Sequence, residues 1–145
     1  MITCQDLHIG YDKNILQKKI DLELKGLKSY VLLGKNGSGK STFLKTLAGL
    51  LPARSGQISY PQTFSMDHEL SVVLTDQVHV PHLSLVDLVR LGRYPHSNFW
   101  GDLKQVDELI IQETLTYLKL TAYKDVEYVK LSDGLKQRAL IARAL

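Results

Sequence analysis

Gly34-Lys35-Asn36-Gly37-Ser38-Gly39-Lys40-Ser41 fits the pattern G-x-x-x-x-G-K-[ST]. On its N-terminal side stands Tyr30-Val31-Leu32-Leu33, a short apolar run of the kind buried on both faces of a parallel sheet. On its C-terminal side, Phe43, Leu44, Leu47, Ala48 and Leu51 recur at helical spacing from Lys40 to Leu51 until Pro52 stops the pattern. Strand, glycine loop and helix form the setting in which this pattern holds phosphate. Glycines let the backbone wrap closely round an anion with N–H groups pointing inward, and the helix N-terminus adds partial positive charge. In that arrangement Lys40 reaches the β- and γ-phosphates of a nucleoside triphosphate, and the Ser41 hydroxyl ligates Mg²⁺. A glycine-rich turn that merely joins two elements is the plain alternative, and the full motif in its setting weighs against it. The dinucleotide fingerprint G-x-G-x-x-G fails, because Gly37-Ser38-Gly39-Lys40-Ser41-Thr42 puts threonine at the third position.

Working outward, Ile2, Cys4 and Ile9 punctuate one segment, and Ile20, Leu22 and Leu24 alternate with Asp21, Glu23 and Lys25 in another, which predicts half-exposed antiparallel strands. Gly56 to Tyr60 and Ser71 to Thr75 read as two more strands. Beyond them helices take over. Ser84 predicts the N-cap of a helix through Leu91, with Asp87 placed to reach back as a capping box. Gly92 ends that helix, and Arg93 to Gly101 is a loop rich in Pro, His, Asn and aromatics. Asp102 opens a longer helix with Leu103, Val106, Ile110 and Tyr117 on one stripe. Ser132 starts a last helix with Leu135, Ala139 and Ala142 on one side.

The 145 residues, 44% of them apolar and 23% charged, suit one globular domain rather than a disordered or low-complexity chain. No apolar run is long enough to cross hydrocarbon, and MITCQDLHIG lacks the apolar stretch of a leader, which predicts a soluble, unexported chain. The single cysteine, Cys4, excludes an intrachain disulfide. The net charge of +3 is uneven: residues 1–50 hold eight Lys, no Arg and four acids, a local +4. Without a dense basic run carrying interleaved aromatics, this predicts an anionic small ligand and no nucleic acid.

A phosphate loop alone covers kinases, GTPases and ATPases. The selecting stretch is Leu131-Ser132-Asp133-Gly134-Leu135-Lys136-Gln137-Arg138, followed by Ala139 to Leu145. It resembles the signature segment of ATP-binding cassette (ABC) ATPases, LSGGQ followed by a helix containing QR, and lies about ninety residues after the phosphate loop. The resemblance runs the full length of the chain. It implies an α/β fold of the P-loop NTPase, ABC ATPase type, in incomplete form: an antiparallel β-subdomain, a partial parallel core sheet and a helical subdomain. The implied divisions are 1–77 for the β-subdomain and phosphate-loop core, 78–130 for the helical subdomain and 131–145 for the signature helix. It also implies an ATP site built by Tyr11, stacked on adenine, with Gly34, Asn36, Gly37, Ser38, Gly39, Lys40, Ser41 and Thr42. Gln77 contacts Mg²⁺ and the attacking water, so Lys40 and Gln77 carry catalysis and Ser41 and Gln77 hold Mg²⁺. Leu131, Ser132, Asp133 and Gly134 act in trans on ATP held by a second subunit, head to tail. Bland readings remain beside these: a Tyr11 packed at a strand end, an exposed loop Gln77.

The stretch Leu91-Gly92-Arg93-Tyr94-Pro95-His96, with Trp100-Gly101 following, resembles the subgroup that serves importers of iron-siderophores, haem and cobalamin. That implies permease subunits and a substrate-binding protein as partners, and a peripheral position on the cytoplasmic face of the membrane. His96 and Trp100 are expected in packing or in a coupling groove rather than as metal ligands, because no second ligand stands at suitable spacing. Two departures matter. Asp133 and Leu135 replace the first Gly and the Gln of the signature, so Asp133 must point away from the phosphate and Leu135 weakens the site. The chain also lacks the strand ending in Asp-Glu and the later His that resembling chains carry, which predicts a fragment without hydrolytic activity. The alternatives are a nucleotide-binding module that does not hydrolyse, and a soluble ABC ATPase not coupled to transport.

Overall fold

A computed structural model of the chain describes residues 1–11, 14–74 and 80–145. Two compact units divide it, Met1–Met66 and Asp67–Leu145. In the first unit, strands β1 (Ile2–Tyr11), β2 (Asn14–Leu24) and β3 (Ser55–Ser59) form an antiparallel sheet in the order β2-β1-β3. The expected strand segments at both ends of the phosphate-loop region are thus present. Helix α1 (Lys40–Leu47) follows the loop and packs Phe43 against Cys4, Leu7 and Ile9 of β1, with Ile20, Leu47 and Ile58 around them. Its buried side is Thr42, Phe43 and Thr46, while Leu44 is exposed. The helix also stops at Leu47 instead of Leu51, where a turn takes over and Leu50 and Leu51 both donate to the Lys45 carbonyl.

Two expected strands do not form. Tyr30-Val31-Leu32-Leu33 joins no ladder, and Val31 and Leu33 are 80% and 85% exposed. Residues 71–74 likewise have no strand partner among the described residues, and Thr75 lies outside them. A strand is stabilised by the neighbours that take its N–H and C=O groups, so an apolar run without such neighbours forms no ladder and stays exposed. The antiparallel sheet forms because β1 has a partner on each edge, β2 next to it in sequence and β3 from beyond the phosphate loop.

The second unit is helical. After the short helix α2 (Met66–Glu69) at the boundary come α3 (Leu85–Gly92), α4 (Gln105–Tyr117) and α5 (Asp133–Ala144), with 3-10 turns at Tyr94–His96, Thr121–Tyr123 and Tyr128–Lys130. Their core is Leu85, Leu88, Val89, Ile111, Leu115, Leu120, Tyr128, Leu131, Ala139 and Ala142. Full burial of each large aliphatic side chain contributes ~1.5–3 kcal/mol relative to exposure. Ser84 caps α3 as expected, accepting the Asp87 N–H at 3.2 Å, while its hydroxyl donates to the Asp87 carboxylate.

Helix α4 departs from its reading twice. It begins at Gln105 rather than Asp102, and its buried face is Asp107, Ile111 and Leu115, whereas Val106 and Tyr117 are exposed. The cause is Asp107. Its Oδ2 accepts the Lys104 N–H at 3.1 Å, and its Oδ1 accepts from Arg93 Nη2 at 2.7 Å and Nε at 3.1 Å. A carboxylate satisfied in this way takes a core position that an apolar stripe would assign elsewhere. The guanidinium of Arg93 is the chief influence holding the Asp107 carboxyl below the ordinary carboxylate range.

Candidate phosphate site and signature helix

The phosphate loop of the first unit is a tight turn closed by the Ser38 N–H on the Lys35 carbonyl, at 3.2 Å. Gly37 and Gly39 stand at φ +79° and +91°, a region where a side chain would be strained, and Gly39 is the N-cap of α1. The Phe43 N–H closes the first helical turn on the Gly39 carbonyl at 2.8 Å. Lys40 folds back so that Nζ donates to the carbonyls of Gly34 and Lys35 at 2.8 and 2.7 Å. The ammonium therefore lies at the mouth of the loop. Gly34, Asn36, Gly37 and Ser41 are exposed and Ser38 is half-buried, while Thr42 is buried at the first turn of α1.

Tyr11 ends β1 beside this loop. Its hydroxyl accepts from Thr42 Oγ1 at 3.4 Å and the residue is 48% exposed, as a base-stacking tyrosine would have to be. The structure thus brings Tyr11 to the loop's helix, although the two are thirty-one residues apart in sequence. A cavity of about 470 Å³ adjoins the loop, lined by Ile9, Gln17, Ile20, Leu22, Leu32 and Leu33 together with Gly34, Ser38, Gly39 and Lys40. Two glycines at positive φ, a lysine at the mouth and an exposed Ser41 hydroxyl suit a nucleoside polyphosphate with Mg²⁺. The metal would take Ser41, phosphate oxygens and water. Among the described residues no group of three His, Cys, Asp or Glu side chains could hold a metal by itself. Gln77, expected to contact Mg²⁺, lies outside the described residues.

The signature segment belongs to the second unit. Leu131 is buried in the helical core and fixes the start of α5, while Ser132, Asp133 and Gly134 are exposed at its N-terminus. Ser132 occupies the N-cap with φ −64° and ψ 157°, but its side chain makes no capping hydrogen bond. The Ser132 hydroxyl therefore stays uncommitted to the helix. The Asp133 carboxylate is 90% exposed and sits 3.9 Å from Lys136 Nζ. Leu135 packs partly against the core, so its apolar side chain supports the helix.

Three features escaped sequence reasoning. Gln17 of β2 reaches the loop, donating from Nε2 to the Ser38 carbonyl at 3.2 Å. His96 lies 5.4 Å from His68, ring centre to ring centre, a pairing that no sequence spacing discloses. Trp100, expected in packing or in a coupling groove, is 83% exposed and meets Phe99 in a T-shaped contact at 5.5 Å. The rigid turn beneath them follows from Asn98 Oδ1, which accepts the N–H groups of both Trp100 and Asp102 at 2.9 Å.

Comparison with known proteins agrees with this fold. An "Uncharacterized ABC transporter ATP-binding protein" of Methanocaldococcus jannaschii is 31% identical over all of this chain and 52% of its own length. The achromobactin transport ATP-binding protein CbrD of Dickeya dadantii is 33% identical over 99% of this chain and 56% of its own length. The chain thus spans a little over half the length of these relatives. Among solved structures, an inward-facing ABC transporter assigned to the metal-chelate type superposes with a TM-score of 0.84 at 29% identity, over 99% of this chain and 54% of that one. The ABC transporter family pattern matches residues 17–145, and the chain belongs to that family.

Proposed function

We propose that this chain is the ATP-binding part of the ATPase subunit of an ABC importer. The observation that carries this reading is the phosphate loop: a glycine turn at positive φ, capped onto α1, with the Lys40 ammonium at its mouth. Lys40 neutralises phosphate charge, Ser41 and Gln77 serve Mg²⁺, and Gly34, Asn36, Gly37, Ser38, Gly39 and Thr42 surround the phosphates. Tyr11 covers one face of adenine. Leu131, Ser132, Asp133 and Gly134 present α5 to ATP bound by a second, head-to-tail subunit. The Ser132 hydroxyl is available for this because it makes no cap bond. The divisions 1–77, 78–130 and 131–145 follow these roles.

The imported cargo is a metal chelate of the siderophore, haem or cobalamin kind. The achromobactin relative supports this, while a zinc transport relative, AdcC of Streptococcus pneumoniae, at 29% identity over 98% of this chain, supports bare metal as the second reading. Permease subunits and a binding protein select that cargo, with this chain held on the cytoplasmic face of the membrane. No helix among the described residues is long and apolar enough to cross a membrane, as a peripheral subunit requires. None of these residues is assigned the role of general base, so the reading for the chain itself is ATP binding.

Calorimetric titration tests the reading. Loss of a charge-assisted contact costs ~1.5–3 kcal/mol, so Lys40→Ala should weaken ATP about tenfold or more. Superimposable titrations of the two proteins would remove the phosphate-loop assignment. Steady ATP turnover by the 145-residue chain, abolished in Lys40→Ala, would instead show that an internal base exists.

A further inference from the structure

We infer that Gln17 is a positioning residue of the phosphate loop: its carboxamide holds the Ser38–Gly39 peptide in the orientation that aims an N–H at a bound phosphate. This rests on the phosphate-loop reading above and adds to it a residue outside the sequence motif.

The sheet register puts Gln17 in place. Between the pairs Leu7↔Ile20 and Ile9↔Gln17, the ladder advances two residues on β1 and three on β2, with Lys19 at φ +54°. Such a bulge reverses the alternation of the strand and re-aims the side chains beyond it. Uninterrupted alternation from Ile20 would turn Lys18 toward the side of Leu7 and Ile9. The bulge turns Gln17 there instead, onto the face that Phe43 of α1 covers.

On that face Gln17 meets the loop twice. Its Nε2 donates to the Ser38 carbonyl at 3.2 Å. Its Cγ lies 3.6 Å from where a Cβ on Gly39 would stand, and Leu16 Cβ lies 3.5 Å from the same point, so β2 forms the floor beneath Gly39. In a planar trans peptide the C=O and the following N–H point in opposite directions. A Ser38 oxygen drawn toward β2 therefore sends the Gly39 N–H away from β2, into the loop. Reversal of this peptide would turn a carbonyl oxygen toward the anion, which repels it. Gln17 thus acts on phosphate through Ser38 and Gly39 without touching it.

The test is titration of tripolyphosphate into wild type, Lys40→Ala, Gln17→Leu and Gln17→Glu, with the melting temperature of each unliganded protein. Wild type should bind, and Lys40→Ala should bind more weakly. Gln17→Leu keeps the packing and loses the donor, so it should weaken tripolyphosphate about three- to tenfold with unchanged melting. Gln17→Glu, which offers a carboxylate to a carbonyl, should weaken it further. The Gly39 amide resonance should shift strongly on tripolyphosphate addition in wild type and weakly in either Gln17 variant. Wild-type affinity in Gln17→Leu or Gln17→Glu overturns the inference, as does an unaltered Gly39 shift or a loss that merely tracks a lowered melting temperature. Absence of tripolyphosphate binding by wild type, or its indifference to Lys40→Ala, removes the phosphate-loop reading itself and the role of Gln17 with it.

Discussion

At the scale of single residues, Tyr11 carries the sharpest question. It is half-exposed and its hydroxyl accepts from Thr42, so it has a structural link to α1 as well as exposed surface. If the ring covers adenine, Tyr11→Ala should weaken ATP several-fold while leaving tripolyphosphate within about twofold, since stacking is worth ~1–3 kcal/mol per base. Equal losses for both ligands, measured side by side, would mark the tyrosine as a strut for α1 only. The loop residues themselves were legible in the sequence because their motif is local: glycines, lysine and serine act through the backbone between them. Gln17 was not, because the bulge at Lys19 changes the phase of β2, and alternation read from Ile20, Leu22 and Leu24 carries no mark of it.

At the scale of elements, the helices were legible where an N-cap and an apolar stripe agree, as at Ser84 and α3. They were misread where a charge takes a core position. Asp107 turned the buried face of α4 away from Val106 and Tyr117, and this has a pH consequence. Its carboxyl lies below the ordinary value in the folded chain, chiefly through the Arg93 hydrogen bonds. A depressed carboxylate contributes stability that is fully present above the unfolded value, near 3.9, and is lost as pH falls through the folded one. The urea midpoint of the helical signal should therefore drop as pH is lowered from about 5 toward 2, and drop less in Asp107→Asn; parallel curves would show that the pair contributes no linkage. The crossing of α3 and α5 is closer still. A Cβ on Gly92 would stand 1.9 Å from the Arg143 carbonyl oxygen, so Gly92→Ala must separate the helices. Overpacking of this kind costs ~1–3 kcal/mol. The melting temperature should fall by several degrees, and an unchanged value would mean that the crossing yields freely.

At the scale of the whole molecule, the expected parallel core sheet is where sequence and structure part. Tyr30 to Leu33 has the composition of a central strand, yet composition cannot supply the neighbour that makes it one. Leu27, Val31 and Leu33 are fully or largely exposed and their segment has no ladder. Unpaired extended backbone with apolar side chains is a template for association. The 145-residue chain should sediment as a concentration-dependent mixture at tens of micromolar, and a Val31→Lys, Leu33→Lys double variant should shift it toward monomer. Identical sedimentation of the two would show that this segment is not the adhesive one.

The Gly92 crossing also ties down one end of α5. The helix is gripped at its C-terminal end, where the Arg143 carbonyl rests on Gly92, and its N-terminal end at Ser132 is about 17 Å away at 1.5 Å per residue. Helix α3 ends at Gly92, and the 3-10 turn at Tyr94–His96 leads from it to the turn that displays Phe99 and Trp100. Because Leu131 and Leu135 hold the N-terminal end of α5 in the helical core, the helix is tied at both ends, and a displacement of α3 at Gly92 carries Ser132 with it as part of one packed body.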